Sequence, residues 1–210
     1  MSVQAITIPP ATGQPPTGNI VLLHGWGASA DDLASLAPLL NLPDCQFLCP
    51  DAPFPHYSVP GGKAWYSLET KDYQGLEESR QILTDWLISL ETTTGIPLER
   101  TILSGFSQGG AMTLDVGVTL PFAGLVSLSG YLHSEPEPAG DDPPPVLIAH
   151  GRQDTVVPLR AAHQARDVLT ALGVPVQYRE FNTGHQIIPA EILLMRSFVI
   201  EAMSKAGEKA

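Results

Sequence analysis

Short apolar runs alternate with amphipathic stretches along this chain, and that alternation predicts an α/β fold, a mostly parallel sheet with helices on both faces. Asn19 to Leu23, Gln46 to Leu48, Thr101 to Leu103, Ala123 to Leu128, Pro145 to Ala149 and Val176 to Phe181 read as strands. A helix from about Gln74 to Glu91 carries Leu76, Leu83, Trp86, Leu87 and Leu90 on one side. Ser29-Ala30-Asp31-Asp32 reads as a capping box before Leu33, Leu36, Ala37 and Leu40. Pro158 to Leu172 has proline in its first turn and Gly173 just past its end, the asymmetry of a helix, and Pro189 to Met203 reads as the last one.

Two segments break the pattern. Ser134 to Pro145 is acidic and proline-rich and reads as a solvated surface connection. Asp51 to Asp72 is long for a structureless connection and gathers Phe54, Tyr57, Trp65 and Tyr66 around Gly61-Gly62. Those aromatics are read as walls of a substrate pocket; the alternative is that they plug the sheet edge.

The chemistry concentrates where strands end. Gly105-Phe106-Ser107-Gln108-Gly109 follows one strand and opens a helix-like run, which is the context a nucleophile elbow requires. Alone the pentapeptide is a weak signal. Asp154 lies three residues beyond the glycine that ends the Pro145 to His150 run, and His185 follows the Val176 to Phe181 strand. In an open parallel sheet the loops leaving the carboxyl ends converge, so the order Ser107, Asp154, His185 describes a catalytic triad in α/β-hydrolase order. Histidine would take the serine proton and the aspartate would orient and stabilise the imidazolium. The Gln108 N–H, by the geometry of the elbow, is one oxyanion donor.

Taken together, Gly105 to Met112, His150 to Pro158, Gly184-His185 and His24-Gly25-Trp26-Gly27 resemble the carboxylesterase/phospholipase group of small serine hydrolases. That group includes acyl-protein thioesterases and lysophospholipases, and the resemblance spans nearly the whole chain. It implies an α/β-hydrolase fold without a large cap domain. It also implies hydrolysis of carboxylic esters or thioesters through an acyl-Ser107 intermediate, with the Trp26 N–H as second oxyanion donor. The implied substrates are a small acyl ester, a lysophospholipid or an S-acylated molecule. One departure stands out: the family often has His-Gly-Leu-Gly-Asp in its first loop, whereas this chain has Trp26 and Ala28. A non-catalytic module binding acyl ligands and a serine peptidase are the competing classes.

Length and charge narrow the rest. A chain of 210 residues with 43% hydrophobic and 16% charged residues suits one globular domain over 1–210. Its net charge of −11 argues against nucleic-acid and anionic-membrane partners. No stretch approaches a membrane span and the first residues lack a signal-peptide pattern, so a cytoplasmic location is expected, without integral membrane association. Cys45 and Cys49, on one face of a strand and about 13 Å apart, are too far apart for a disulfide. They lack metal-ligand company, so neither a metal nor a cofactor is expected. His163 falls on a polar helix side, His150 reads as packed, and His56 and His133 lie in irregular segments. Asp141 and Asp142 enter their strand at the wrong end for the acid.

Overall fold

The computed structural model describes residues 3–209 apart from Lys71, Ala139 and Asp141. In chain order the strands are β1 (Ala5–Ile8), β2 (Gly18–Leu23), β3 (Cys45–Pro50), β4 (Phe54–Pro55), β5 (Lys63–Ala64), β6 (Thr101–Phe106), β7 (Gly124–Leu128), β8 (Val146–Gly151) and β9 (Val176–Phe181). The helices are α1 (Ala30–Ala34), α2 (Ala37–Leu40), α3 (Leu76–Thr94), α4 (Gln108–Gly117), α5 (Leu159–Ala171) and α6 (Pro189–Lys209). Seven strands form one sheet in the order β1-β3-β2-β6-β7-β8-β9, parallel except for β1, which runs antiparallel to β3; β4 and β5 form a separate small hairpin.

Period-2 alternation sends neighbouring side chains to opposite faces of the sheet, and each face meets its own helices. Val21, Leu23, Leu103, Leu125 and Ile148 face α3, α4 and α5 through Leu83, Leu87, Met112 and Leu169. Ile20, Leu22, Ile102, Val126 and Leu147 face α1, α2 and α6 through Leu33, Leu40, Phe198 and Val199. Both faces are covered, so the central strands are apolar at nearly every position. Cys45 and Cys49 join Phe47 on the second face as buried free thiols.

Three elements differ from the expectation. The run after Ser29 is two short helices, because the Ser35 hydroxyl donates to the Asp32 carbonyl at the end of α1 and Pro38 stands in the first turn of α2. The box itself is present, with Asp32 accepting from the Ser29 N–H at 2.8 Å. The last helix runs on to Lys209, past the end of its apolar face, with an exposed Glu201–Lys205 pair one turn apart. The four-residue β1 is too short and too exposed to leave a pattern in the sequence.

After β2 the chain adds β3 and then β1 lies beyond it, whereas β6 to β9 extend the other way. The order reverses between β2 and β6, and there the chain leaving each carboxyl end turns to the opposite face of the sheet, which leaves a crevice between the two loops. The His24 to Ala28 loop leaves β2 at that point and Ser107 leaves β6.

Candidate active site

Ser107 sits between β6 and α4 with φ 56° and ψ −116°, a conformation that residues with a side chain rarely adopt. Its N–H donates to the Leu128 carbonyl at 2.8 Å and its carbonyl accepts from Ala111 at 3.0 Å, so the turn is pinned at both ends. The glycines on either side have steric reasons. A Cβ on Gly105 would come within 2.2 Å of the Gly109 carbonyl, and one on Gly109 within 2.1 Å of the Leu23 carbonyl in β2. Helix α4 therefore starts in direct backbone contact with the sheet, and the serine side chain is left at the crest.

The His185 ring lies between Ser107 and Asp154: Nε2 is 2.9 Å from the serine Oγ and Nδ1 is 2.7 Å from Asp154 Oδ2. The other carboxylate oxygen accepts from the N–H groups of Val156 at 2.9 Å and Val157 at 2.8 Å. Burial alone would push this carboxyl up. The bond from His185 and the two backbone N–H donors outweigh it, so Asp154 titrates below the ordinary carboxylate range and is ionised at neutral pH. An ionised acceptor puts the hydrogen of neutral His185 on Nδ1 and leaves Nε2 free to accept from the Ser107 hydroxyl. The Asp154 side chain is fully enclosed and that of His185 is 17% exposed, so the carboxylate is shielded while the imidazole reaches the crevice.

The two loops carrying these groups are tied together by backbone. Arg152 N–H donates to the Phe181 carbonyl and Gln153 N–H to the Thr183 carbonyl, while a Cβ on Gly151 would meet both the Thr183 and Gly184 carbonyls at 2.5 Å. His150, wholly buried, approaches the Val157 carbonyl at 2.8 Å and helps hold the acid loop in its turn. Its complete burial fits the packing role expected of it, and the bond to the Val157 carbonyl has no signature in the sequence.

The N–H groups of Trp26 and Gln108 donate to no protein acceptor among the described residues. Gln108 begins α4, whose first turn leaves its N–H groups without intrahelical partners. The Gln108 side chain performs a separate task that the sequence did not reveal. Buried completely, it accepts from the Trp65 N–H at 2.9 Å and donates to the Tyr66 carbonyl at 2.8 Å.

Of the aromatics expected around the substrate, Phe54, Tyr57 and Tyr66 border a cavity of about 310 Å³ together with Trp26. Trp65 is a correction: at 1% exposure it belongs to the core under the sheet, and its Nε1 donates to the His24 carbonyl at 2.9 Å. The surrounding segment is a hairpin, β4 with β5, held to the loop after β2 by Gly27 N–H to Lys63 carbonyl and Lys63 N–H to Ala28 carbonyl, both at 2.8 Å. Gly62 is needed for that contact, since a Cβ there would stand 2.5 Å from the Gly27 carbonyl.

The other histidines and acids lie elsewhere. His163 is 41% exposed and paired with Glu180 at 2.9 Å. His56 packs on Trp26 and Tyr57, and His133 lies among Tyr66, Tyr73 and Tyr131 beside Asp115, which Arg80 neutralises. Asp142 is at the amino end of β8, across the sheet from Ser107; Asp141 is outside the described residues. Among the described residues no three His, Cys, Asp or Glu are grouped to hold a metal ion, and no helix is long and apolar enough to cross a membrane.

The family model described as phospholipase/carboxylesterase matches residues 6–203. The chain belongs to that family. It is a hydrolase with the α/β-hydrolase fold, and among the described residues no domain-sized cap covers the carboxyl ends of the strands. Among its relatives, an acyl-protein thioesterase 1 of Neurospora crassa is 28% identical, the alignment covering 92% of this chain and 90% of that protein. The crystal structure of esterase PE8 superposes with a TM-score of 0.88 at 30% identity, over 96% of this chain and all (100%) of that one. A Bacillus cereus carboxylesterase, at 16% identity and a TM-score of 0.82 over 95% of this chain and 94% of that one, shares the fold.

Proposed function

We propose that this family member cleaves acyl esters or thioesters with Ser107 as nucleophile, His185 as general base and acid, and Asp154 as the group that orients the imidazole. The single observation that carries this reading is the hydrogen-bonded line from Ser107 Oγ through the His185 ring to Asp154, at 2.9 and 2.7 Å, beside two N–H groups with no acceptor among the described residues. As Ser107 Oγ attacks the acyl carbon, its proton passes to His185 Nε2 and the carbonyl electron pair moves onto oxygen. The N–H groups of Trp26 and Gln108 receive that oxyanion. Collapse of the tetrahedral intermediate breaks the bond to the leaving oxygen or sulfur, which takes the proton from His185. Water, deprotonated by the same nitrogen, then frees the acid and restores the serine.

For the acyl group, the cavity that Trp26 borders, walled by Phe54, Tyr57 and Tyr66 and also by Glu69 and Glu78, offers partly apolar walls beside the proposed oxyanion loop. An S-acylated molecule, a lysophospholipid or a simple carboxylic ester meets that description, and the names of the relatives favour an acyl thioester. The compartment proposed is the cytoplasm, supported by the two unpaired thiols.

One experiment tests the reading. A fluorophosphonate should label one site per chain and abolish hydrolysis, and the label should be absent from Ser107→Ala. His185→Ala should lose activity as severely as Ser107→Ala, and the double variant should lose little more, because the two act as a unit. His163→Ala should behave as wild type; loss there with retention in His185→Ala would replace the base. Rates on p-nitrophenyl esters of rising chain length, a lysophospholipid and an S-palmitoyl peptide would rank the substrates.

A further inference from the structure

We infer that His24 is a positioning residue whose ring sets the direction of the Trp26 N–H, so that the oxyanion hole is formed before substrate arrives. The inference rests on the catalytic reading above and adds a residue to it. His24 is the first residue after β2 and is wholly buried. The Ala52 N–H donates to its Nε2 at 3.0 Å, so that nitrogen bears no hydrogen. Nδ1 therefore carries the hydrogen and donates it to the Gly25 carbonyl at 2.7 Å. The two bonds together define one neutral tautomer.

The consequence follows from peptide geometry. Among the described residues no peptide bond is cis, so the Gly25 C=O and the Trp26 N–H lie in one plane and point in opposite directions. Holding the carbonyl against His24 aims the N–H the other way. The tie matters because glycine precedes and follows Trp26, and such a peptide rotates at little cost when nothing restrains it. The Ala28 N–H also reaches the Gly25 carbonyl, at 3.2 Å, closing a turn in which Gly27 has φ 79°. Gly25 lies against the nucleophile, a Cβ there falling 3.4 Å from the Ser107 Cβ, so a rotated peptide would misplace the donor at the reacting centre.

The frame extends to the second donor. Trp65 Nε1 holds the His24 carbonyl, the Gln108 side chain holds the Trp65 N–H, and the Gln108 N–H is the other candidate oxyanion donor. Both donors thus hang on one buried network, and Trp65 acts in it as support.

Two variants separate positioning from packing. His24→Asn keeps a donor at the δ position, able to reach the Gly25 carbonyl, and loses the acceptor for Ala52. His24→Gln keeps an acceptor within reach of Ala52 and loses the δ donor. On a p-nitrophenyl ester, with active sites counted by fluorophosphonate labelling, His24→Gln should lose roughly 10- to 100-fold in kcat with KM little changed, because a misaimed oxyanion donor acts in the transition state. His24→Asn should recover most of that loss. Equal kcat per labelled site in His24→Gln and wild type, or His24→Asn no better than His24→Gln, would overturn the inference. If neither variant folds, ¹⁵N resonances of wild-type His24 decide: hydrogen on Nδ1 supports it, and hydrogen on Nε2 overturns it. Failure of wild-type protein to hydrolyse any ester or to take the label would instead sink the catalytic reading.

Discussion

The backbone of Ser107 gives the proposed nucleophile a measurable cost in stability. At φ 56° and ψ −116° its Cβ crowds the main chain, and a residue with a side chain held in such a region costs about 1–3 kcal/mol. Ser107→Ala removes the hydroxyl and keeps the Cβ, so the strain stays. Ser107→Gly removes both. Against that gain stands the larger conformational freedom of glycine in the unfolded chain, about 0.4–1 kcal/mol, leaving the glycine variant roughly 1–2 kcal/mol more stable than the alanine variant. For a chain of this size each kcal/mol moves Tm by about 2–4 °C, so a separation of about 2–8 °C is expected. Calorimetric melts of the two variants, measured at one protein concentration and neutral pH, would read it. Both should have lost roughly 10⁴-fold or more in kcat. A glycine variant melting at or below the alanine variant would show that the elbow holds Ser107 without strain.

The remaining predictions concern neighbours of the site. Trp65→Ala should cost about 3–5 kcal/mol in a denaturant titration, as loss of a buried aromatic ring does, whereas Tyr57→Ala, 66% exposed at the cavity, should leave stability nearly unchanged. Tyr57→Ala should instead alter the ratio of long-chain to short-chain kcat/KM several-fold, since each contacting methylene is worth about 0.8 kcal/mol. Burial pushes the Cys49 thiol up to about 12, so a thiol-blocking reagent should leave the folded enzyme active and react only on unfolding. Burial also holds His24 below its ordinary value of 6.5, against the pull of the Gly25 carbonyl, Asp51 and Asp32 and with Lys63 reinforcing it. An unfolded chain then binds a proton that the native state refuses, so this contribution is complete above pH 6.5 and falls away as pH drops from there toward the lower native value. His24→Asn should flatten a plot of unfolding free energy against pH in that window, where the histidine adds a slope of at most about 1.4 kcal/mol per pH unit.

The sequence by itself determined the layered plan and the residues with chemical potential. Strands buried on both faces leave unbroken apolar runs, and an elbow in a parallel sheet demands small residues at two positions, so Asn19 to Leu23 and Gly105 to Gly109 are legible without coordinates. The order of Ser107, Asp154 and His185 is legible for the same reason, each following a strand whose carboxyl end lies at the crevice. Tertiary structure alone decided which aromatic lies open at a cavity and which fills the core. Trp65 and Tyr57 look alike in the chain, yet one anchors the His24 carbonyl and the other lies open, because exposure depends on what the rest of the fold brings alongside. It also decided that Gln108 and His24 are parts of one frame. Their partners, Trp65, Ala52 and the Gly25 carbonyl, are backbone and ring atoms whose directions no residue pattern encodes.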